Sequence, residues 1–154
     1  MKKNSKGFTL VELLAVIVVL AVIMVIATTQ ISAVMKKSTV NSFKDSVDMV
    51  VKQAKIAYAQ DTTVDTDAVK SIVDYDSNQY DIEVKDVEGG GKLVCVSSKG
   101  TGSKFHNMDN EYLATAFGTN KYMLRSGTTT VCKDFVSSSS DYVTTTAAPA
   151  APAD

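Results

Sequence analysis

Several residue types are rare or absent in this sequence, and each absence excludes a class of protein. Tryptophan is absent, His106 is the single histidine, and no proline precedes Pro149 among the 154 residues. One histidine excludes a zinc site built from several histidines, and no GxSxG, Walker or dinucleotide signature is present. The net charge of −1 and the pI near 5.8 argue against nucleic-acid binding through phosphate neutralisation. We therefore predict no enzyme, no cofactor and no metal.

Charged residues are also rare in the first apolar stretch. Between Phe8 and Ala27 only Glu12 is charged, and Leu13 to Ala27 is apolar throughout. The many β-branched residues of this run make a mediocre helix in water. Inside a bilayer, however, a spanning segment must satisfy its own backbone hydrogen bonds. Twenty helical residues rise about 30 Å, the thickness of the hydrocarbon layer, so 8–27 is predicted to be a transmembrane helix.

Three interpretations of this N-terminus compete. A secretory signal peptide explains the basic residues Lys2, Lys3 and Lys6, but the apolar run exceeds the usual length and lacks a small-residue cleavage site. A plain single-pass anchor leaves Glu12 unexplained, because a carboxylate inside the apolar segment costs about 2.5–3.5 kcal/mol on insertion scales. The third interpretation explains both observations.

The string Gly7-Phe8-Thr9-Leu10-Val11-Glu12, between a basic leader and an apolar helix, resembles the class III leader junction of type IV prepilins and pseudopilins. The resemblance implies that a prepilin peptidase cuts after Gly7 on the cytoplasmic side and methylates the new N-terminal residue, Phe8. The characteristic glutamate of that family falls on Glu12. The resemblance therefore assigns Glu12, together with Thr9, to subunit assembly.

The same resemblance orients the chain in the membrane, with the N-terminus in the cytoplasm and the head outside. Lysine counts favour this only weakly, since three lysines precede the span and Lys36 and Lys37 follow it. Removal of the leader, residues 1–7, takes away three of the 16 basic residues. The mature chain then has 13 basic against 17 acidic residues, a formal charge of −4.

Cleavage gives Glu12 a physical role. The new α-amino group of Phe8 is positive at neutral pH, and a carboxylate attracts it far more strongly in low dielectric than in water. Glu12 of one copy can neutralise the amine of an adjacent copy, which predicts that it specifies recruitment and register. The alternative is that Glu12 pairs with the N-terminus of its own chain.

The resemblance implies a type IV pilus subunit that polymerises into an extracellular filament for adhesion, twitching motility or biofilm. The alternatives are a pseudopilin of a type II secretion or competence (DNA uptake) system, and an anchored extracellular binding module that never polymerises. The implied partners are other copies in a helical homopolymer, the prepilin peptidase, the inner-membrane assembly platform, and the membrane before assembly. No nucleic-acid partner is predicted.

After the span the apolar pattern becomes periodic, which predicts that the helix continues to residue 60 and buries one face. Without the proline that many pilins carry here, we expect it to run uninterrupted. Asp48 and Lys52 are placed to form an i,i+4 pair. The face is expected to pack on the chain's own head, with a coiled-coil seam as the alternative. Its positions, spaced three and four apart, are Val40, Phe43, Val47, Val50, Ala54 and Ala57.

The head, residues 61–143, is predicted to be a short helix followed by an antiparallel sheet of about four strands, which gives an α+β, pilin-like fold. Residues 110–118 fit a helix or a strand. The tail, 144–154, is low-complexity and predicted to be a disordered or extended end. The predicted helix is Thr66–Val73, and the predicted strands are Tyr80–Lys85, Lys92–Ser97, Tyr122–Arg125 and Thr128–Phe135.

Both cysteines lie in the head, at Cys95 and Cys132. An even count in an exported segment favours a disulfide, with two buried thiols as the alternative. Residues 74–78 resemble the start of a calcium loop, but Gln79 replaces the expected glycine and Lys85 the final glutamate, which favours a solvated loop.

Basic residues gather in the later head. They could form a patch for DNA or acidic glycans, although a solvated surface of mixed sign is favoured. These residues are Lys99, Lys104, His106, Lys121, Arg125 and Lys133.

Overall fold

The computed structural model of the chain describes residues 8–87, 91–136 and 142–143, and the backbone alone of Thr29. The described residues divide into two compact units between Met35 and Lys36. The predicted α+β fold, a long apolar N-terminal helix and a small antiparallel sheet, is confirmed. The elements are α1 (Leu10–Gln60), α2 (Thr66–Ile72), β1 (Tyr80–Val87), β2 (Gly91–Ser98), α3 (Asn110–Phe117), β3 (Tyr122–Arg125) and β4 (Thr128–Asp134).

The first unit is helical and has no core of its own. The large apolar side chains between Leu10 and Ile26 are all between 54% and 81% exposed. Near its end, the hydroxyl of Thr28 donates to the carbonyl of Met24 at 2.6 Å, a local bond that leaves the helix continuous. The helix passes through this stretch without a break, as expected from the missing proline.

The second unit contains the core, and the later half of α1 forms one wall of it. All six positions of the predicted apolar face are at most 4% exposed, from Val40 to Ala57. They join residues of the sheet and of α3 in one hydrophobic cluster. The face therefore packs on the chain's own head, as predicted. The predicted pairing of Asp48 with Lys52 is wrong. Asp48 instead pairs with Lys44 at 2.9 Å and with Lys133 at 3.3 Å.

The sheet has the strand order β1-β2-β4-β3, with every neighbouring pair antiparallel. Ile82, Val96 and Val131, which are partners on neighbouring strands, point into the core. Along β1, Tyr80 and Ile82 are buried two residues apart, as the period of two requires. The edge strand β1 is partly covered by α2, because the backbone N–H of Val84 donates to the hydroxyl of Thr66 at 2.9 Å.

The ambiguous stretch at 110–118 is a helix, α3. The carboxylate of Asp109 caps it by accepting from the backbone N–H of Glu111, and Gly118, with φ of 94°, ends it. Capping by aspartate and termination by a glycine of positive φ are the ordinary signals of a helix.

The β3–β4 hairpin turns through Ser126 and Gly127, both at positive φ. The carbonyl of Gly127 accepts from the backbone N–H of Asn107 at 2.9 Å. A Cβ at position 127 would overlap the side chains of His106 and Asn107. The close packing against this glycine fixes the hairpin tip to the 106–107 segment.

Cys95 and Cys132 face each other on the neighbouring strands β2 and β4. Their Cα atoms are 4.0 Å apart, and a disulfide joins the two side chains. A bridge of this loop length stabilises a fold by roughly 3–4 kcal/mol in the chain-entropy model. The predicted leader and tail, and residues 88–90, lie outside the described residues.

Candidate assembly site at the start of the long helix

Thr9 and Glu12 form a reciprocal cap at the start of α1. Oε2 of Glu12 accepts from the backbone N–H and from the hydroxyl of Thr9, both at 2.9 Å. In return, the backbone N–H of Glu12 donates to the hydroxyl oxygen of Thr9 at 3.3 Å. This is a capping box, in which the residue before the helix and the third helical residue satisfy each other's backbone donors.

This capping box was not predicted, although its signal is readable in the sequence as Thr9-x-x-Glu12 before an apolar run. Only amines, of an adjacent copy or of its own N-terminus, were considered as partners of the Glu12 carboxylate. The structure corrects that view, because Thr9 satisfies one carboxylate oxygen. The negative charge also lies in the first turn, where the helix dipole favours it. Among the described residues, no cation pairs with Glu12.

The site sits at one end of an apolar surface that nothing in the described chain covers. Phe8 is 89% exposed, and Leu13 and Leu14 are more than half exposed. Water disfavours an apolar surface of this extent. By length and composition, α1 is able to cross a membrane. Bilayer or other apolar helices are the environments that would suit it.

The predicted site residues therefore fall in two places. Phe8, Thr9 and Glu12 lie together at the start of α1, whereas the two cysteines lie in the sheet. Gly7, the residue expected before the cleavage point, is outside the described range. In the 74–78 loop the carboxylate of Asp76 accepts from the backbone N–H of Asn78, and no group of metal ligands occurs among the described residues.

A second polar centre, in the head, escaped the sequence argument. The carboxylate of Asp48 accepts from the hydroxyl of Tyr142 at 2.8 Å, besides its ion pairs with Lys44 and Lys133. The ring of Tyr142 packs edge-on against Phe117, with centroids 5.0 Å apart. This Asp48 cluster connects α1, α3, β4 and the segment after β4.

The charges of the Asp48 cluster perturb each other. Partial burial acts to raise the pKa of Asp48, but the hydrogen bonds from Lys44 and Tyr142 and the charge of Lys133 outweigh it, so the pKa lies below 3.8. Burial, together with the neighbouring carboxylate, raises the pKa of Tyr142 above 10.0. At neutral pH Asp48 is therefore ionised and Tyr142 is protonated, as the hydrogen bond between them requires.

Comparison with known proteins identifies the N-terminus. A family model described as the prokaryotic N-terminal methylation motif matches residues 2–28. No curated protein and no solved structure matches the chain. The prediction of a type IV pilin-like class III leader is confirmed. The motif supports a type IV pilin-like or pseudopilin protein. Such a leader before an apolar helix fits a membrane-anchored precursor.

Proposed function

We propose that this chain is the structural subunit of a type IV pilus, which polymerises through α1 into an extracellular filament for adhesion, twitching motility or biofilm. One observation carries the proposal. A capped carboxylate, Glu12, begins a helix whose apolar surface has no cover within the described chain. A filament core made of packed copies of α1 would cover that surface once the subunit leaves the bilayer.

The capping box suggests how one carboxylate serves two purposes. Thr9 binds Oε2 of Glu12, and Oε1 makes no hydrogen bond or ion pair in the part of the chain that the structure describes. Cleavage after Gly7 would place a positive amine at Phe8, one residue before the cap. Oε1 of Glu12 is then available to the amine of an adjacent copy. In apolar surroundings such a pair is strongly favoured over an unpaired charge.

The proposal also defines partners and location. The prepilin peptidase would remove residues 1–7 and methylate Phe8, and an inner-membrane assembly platform would extract the subunit from the membrane. The precursor would span the cytoplasmic membrane once, with the head outside, and the mature form would be in the pilus. The role is structural and non-enzymatic.

The experiment compares two substitutions at the cap. Glu12→Gln keeps an oxygen that can accept from Thr9 but loses the charge, whereas Thr9→Val keeps the charge and loses the capping hydroxyl. Cells are sheared, and the released fibres and the membrane fraction are immunoblotted. We expect both variants to be processed at Gly7, Glu12→Gln to release few fibres, and Thr9→Val to retain most of its fibres.

Each result has a defined meaning. Fibres of wild-type abundance from Glu12→Gln would refute the charge argument. For the wild-type chain, long sheared fibres support a pilus, and short cell-associated material would instead indicate a pseudopilin. Monomer that stays in the membrane fraction would exclude both and leave an anchored binding module.

A further inference from the structure

Charge is divided between the two edges of the sheet. Residues 61–87, which include α2 and the edge strand β1, contain eight acidic and two basic residues. Residues 118–127, which include the opposite edge strand β3, contain Lys121 and Arg125 and no acid. Because the strand order is β1-β2-β4-β3, these two regions lie at opposite edges of one sheet.

A groove opens at the acidic side, between the end of α1 and α2. It has a volume of about 350 Å³, and its lining includes the exposed carboxylates of Asp61 and Asp65. Its lining also includes the buried Val64 and the side chain of Ile72, which is 48% exposed. The groove thus offers apolar contact and negative charge together.

Both carboxylates of the groove keep one oxygen available. Oδ1 of Asp61 accepts from the backbone N–H and hydroxyl of Thr63, and Oδ1 of Asp65 accepts from the backbone N–H of Ala68. Neither Oδ2 atom makes a hydrogen bond or an ion pair within the described ranges. The local bonds fix the orientation of the two carboxylates, so the carboxylates are preorganised to bind a cation.

Arg125 has the complementary chemistry. It is the chain's single arginine, it is exposed at the end of β3, and it pairs with no carboxylate among the residues the structure describes. The hairpin that carries it is fixed at Gly127 by the bond from Asn107. Arginine combines an apolar stem with a planar guanidinium that binds carboxylates by two parallel hydrogen bonds.

We propose that Arg125 of one copy inserts into the Asp61–Asp65 groove of the next copy, so that the acidic and basic sheet edges of neighbouring heads meet in the filament. The contact joins two different surfaces of the same chain. A contact of this heterologous kind, repeated without closing a ring, generates a helical polymer. The inference rests on the proposed filament and adds the side-by-side contact between heads.

The test uses full-length chains in cells and measures sheared fibre. Arg125→Glu should lower the fibre yield about tenfold, as expected for loss of a charged interface anchor. Lys52→Glu, a change from positive to negative charge at an exposed position of α1 outside both sheet edges, should leave the yield unchanged. The double variant Asp61→Asn/Asp65→Asn should behave like Arg125→Glu, because the amide oxygens keep the local bonds with Thr63 and Ala68 while both charges are lost.

Direct contact is tested by cross-linking. In fibres of Arg125→Lys, made from a mixture of isotopically light and heavy copies, a zero-length carbodiimide should join position 125 of one copy to Asp61 or Asp65 of another. Mass spectrometry of the linked peptides reads this out. Full fibre yield from Arg125→Glu, or cross-links only within single copies, would overturn the inference while leaving the pilus intact. Absence of fibres from the wild-type chain would instead overturn the proposed function.

Discussion

At the scale of single residues, Tyr142 makes the clearest prediction. Its hydroxyl donates to Asp48 at 2.8 Å, while its ring contacts Phe117 and lies under the ammonium of Lys133. Tyr142→Phe removes the hydrogen bond and keeps the ring, so the head should lose about 1 kcal/mol of stability. Thermal unfolding of the detergent-solubilised chain, followed by near-ultraviolet circular dichroism, measures this.

The matched control for Tyr142→Phe is Tyr112→Phe. The hydroxyl of Tyr112 makes no hydrogen bond to a described residue, so that substitution should leave the melting temperature almost unchanged. An equal loss in both variants would show that the hydroxyl of Tyr142 contributes nothing specific.

The carboxylate of Asp48, in the same cluster, predicts that the head loses stability at low pH. The pKa of Asp48 is lowered in the folded chain, so its contribution is fully present above the unfolded pKa near 3.8 and is lost as pH falls through the folded pKa. The side chain is 38% exposed, and solvent screening keeps the contribution below about 1 kcal/mol. Asp48→Asn should flatten this part of the stability curve below about pH 5, where such carboxylates begin to titrate. A curve as steep as that of the wild-type chain would assign the acid sensitivity to other groups.

At the scale of elements, the buried face of α1 should dominate the stability of the head. Phe43 is fully buried, with its ring centroid 5.2 Å from that of Phe105 and 6.1 Å from that of Phe117. Phe43→Ala should cost about 3–5 kcal/mol through lost burial and the cavity left behind. Met49→Ala, on the same helix at a position 40% exposed, should cost far less. Pulse proteolysis in urea compares them, and similar midpoints would contradict the assigned face.

Sequence patterns predicted the helices and strands well where the apolar residues followed only one period, either helical or alternating. The face containing Val40 and Phe43 followed from spacings of three and four, and β1 from the alternation around Ile82. The stretch 110–118 remained ambiguous because its apolar residues fit both periods. Its caps, Asp109 and Gly118, decide for a helix.

Contacts between distant residues were beyond the sequence argument. The i,i+4 rule allows Asp48 to pair with either Lys44 or Lys52 on one helix, and Lys52 was the wrong choice. The contact with Tyr142, 94 residues away along the chain, lies outside the reach of that rule. The capping box of Thr9 and Glu12 is different, because both residues lie within one turn and the pattern was legible. Local chemistry was thus predictable in principle, and tertiary pairing was not.

At the scale of the whole molecule, the decisive prediction concerns where the mature chain begins. The leader motif implies cleavage after Gly7 and methylation of Phe8, which leaves the Thr9–Glu12 cap one residue from the new N-terminus. Intact-mass and N-terminal peptide spectrometry of the assembled protein should find a chain that starts at Phe8 and carries one additional methyl group. The cysteines should remain bridged without added reductant.

Gly7→Val provides the control for that measurement. The substitution lies outside the capping box, and it should yield a full-length precursor that stays in the membrane and releases no fibre. A wild-type chain that still begins at Met1 would leave α1 without the amine that Glu12 requires across the subunit boundary. A chain that begins beyond Ala27 would lack Glu12 altogether, and the helix could then act only as a removable export signal.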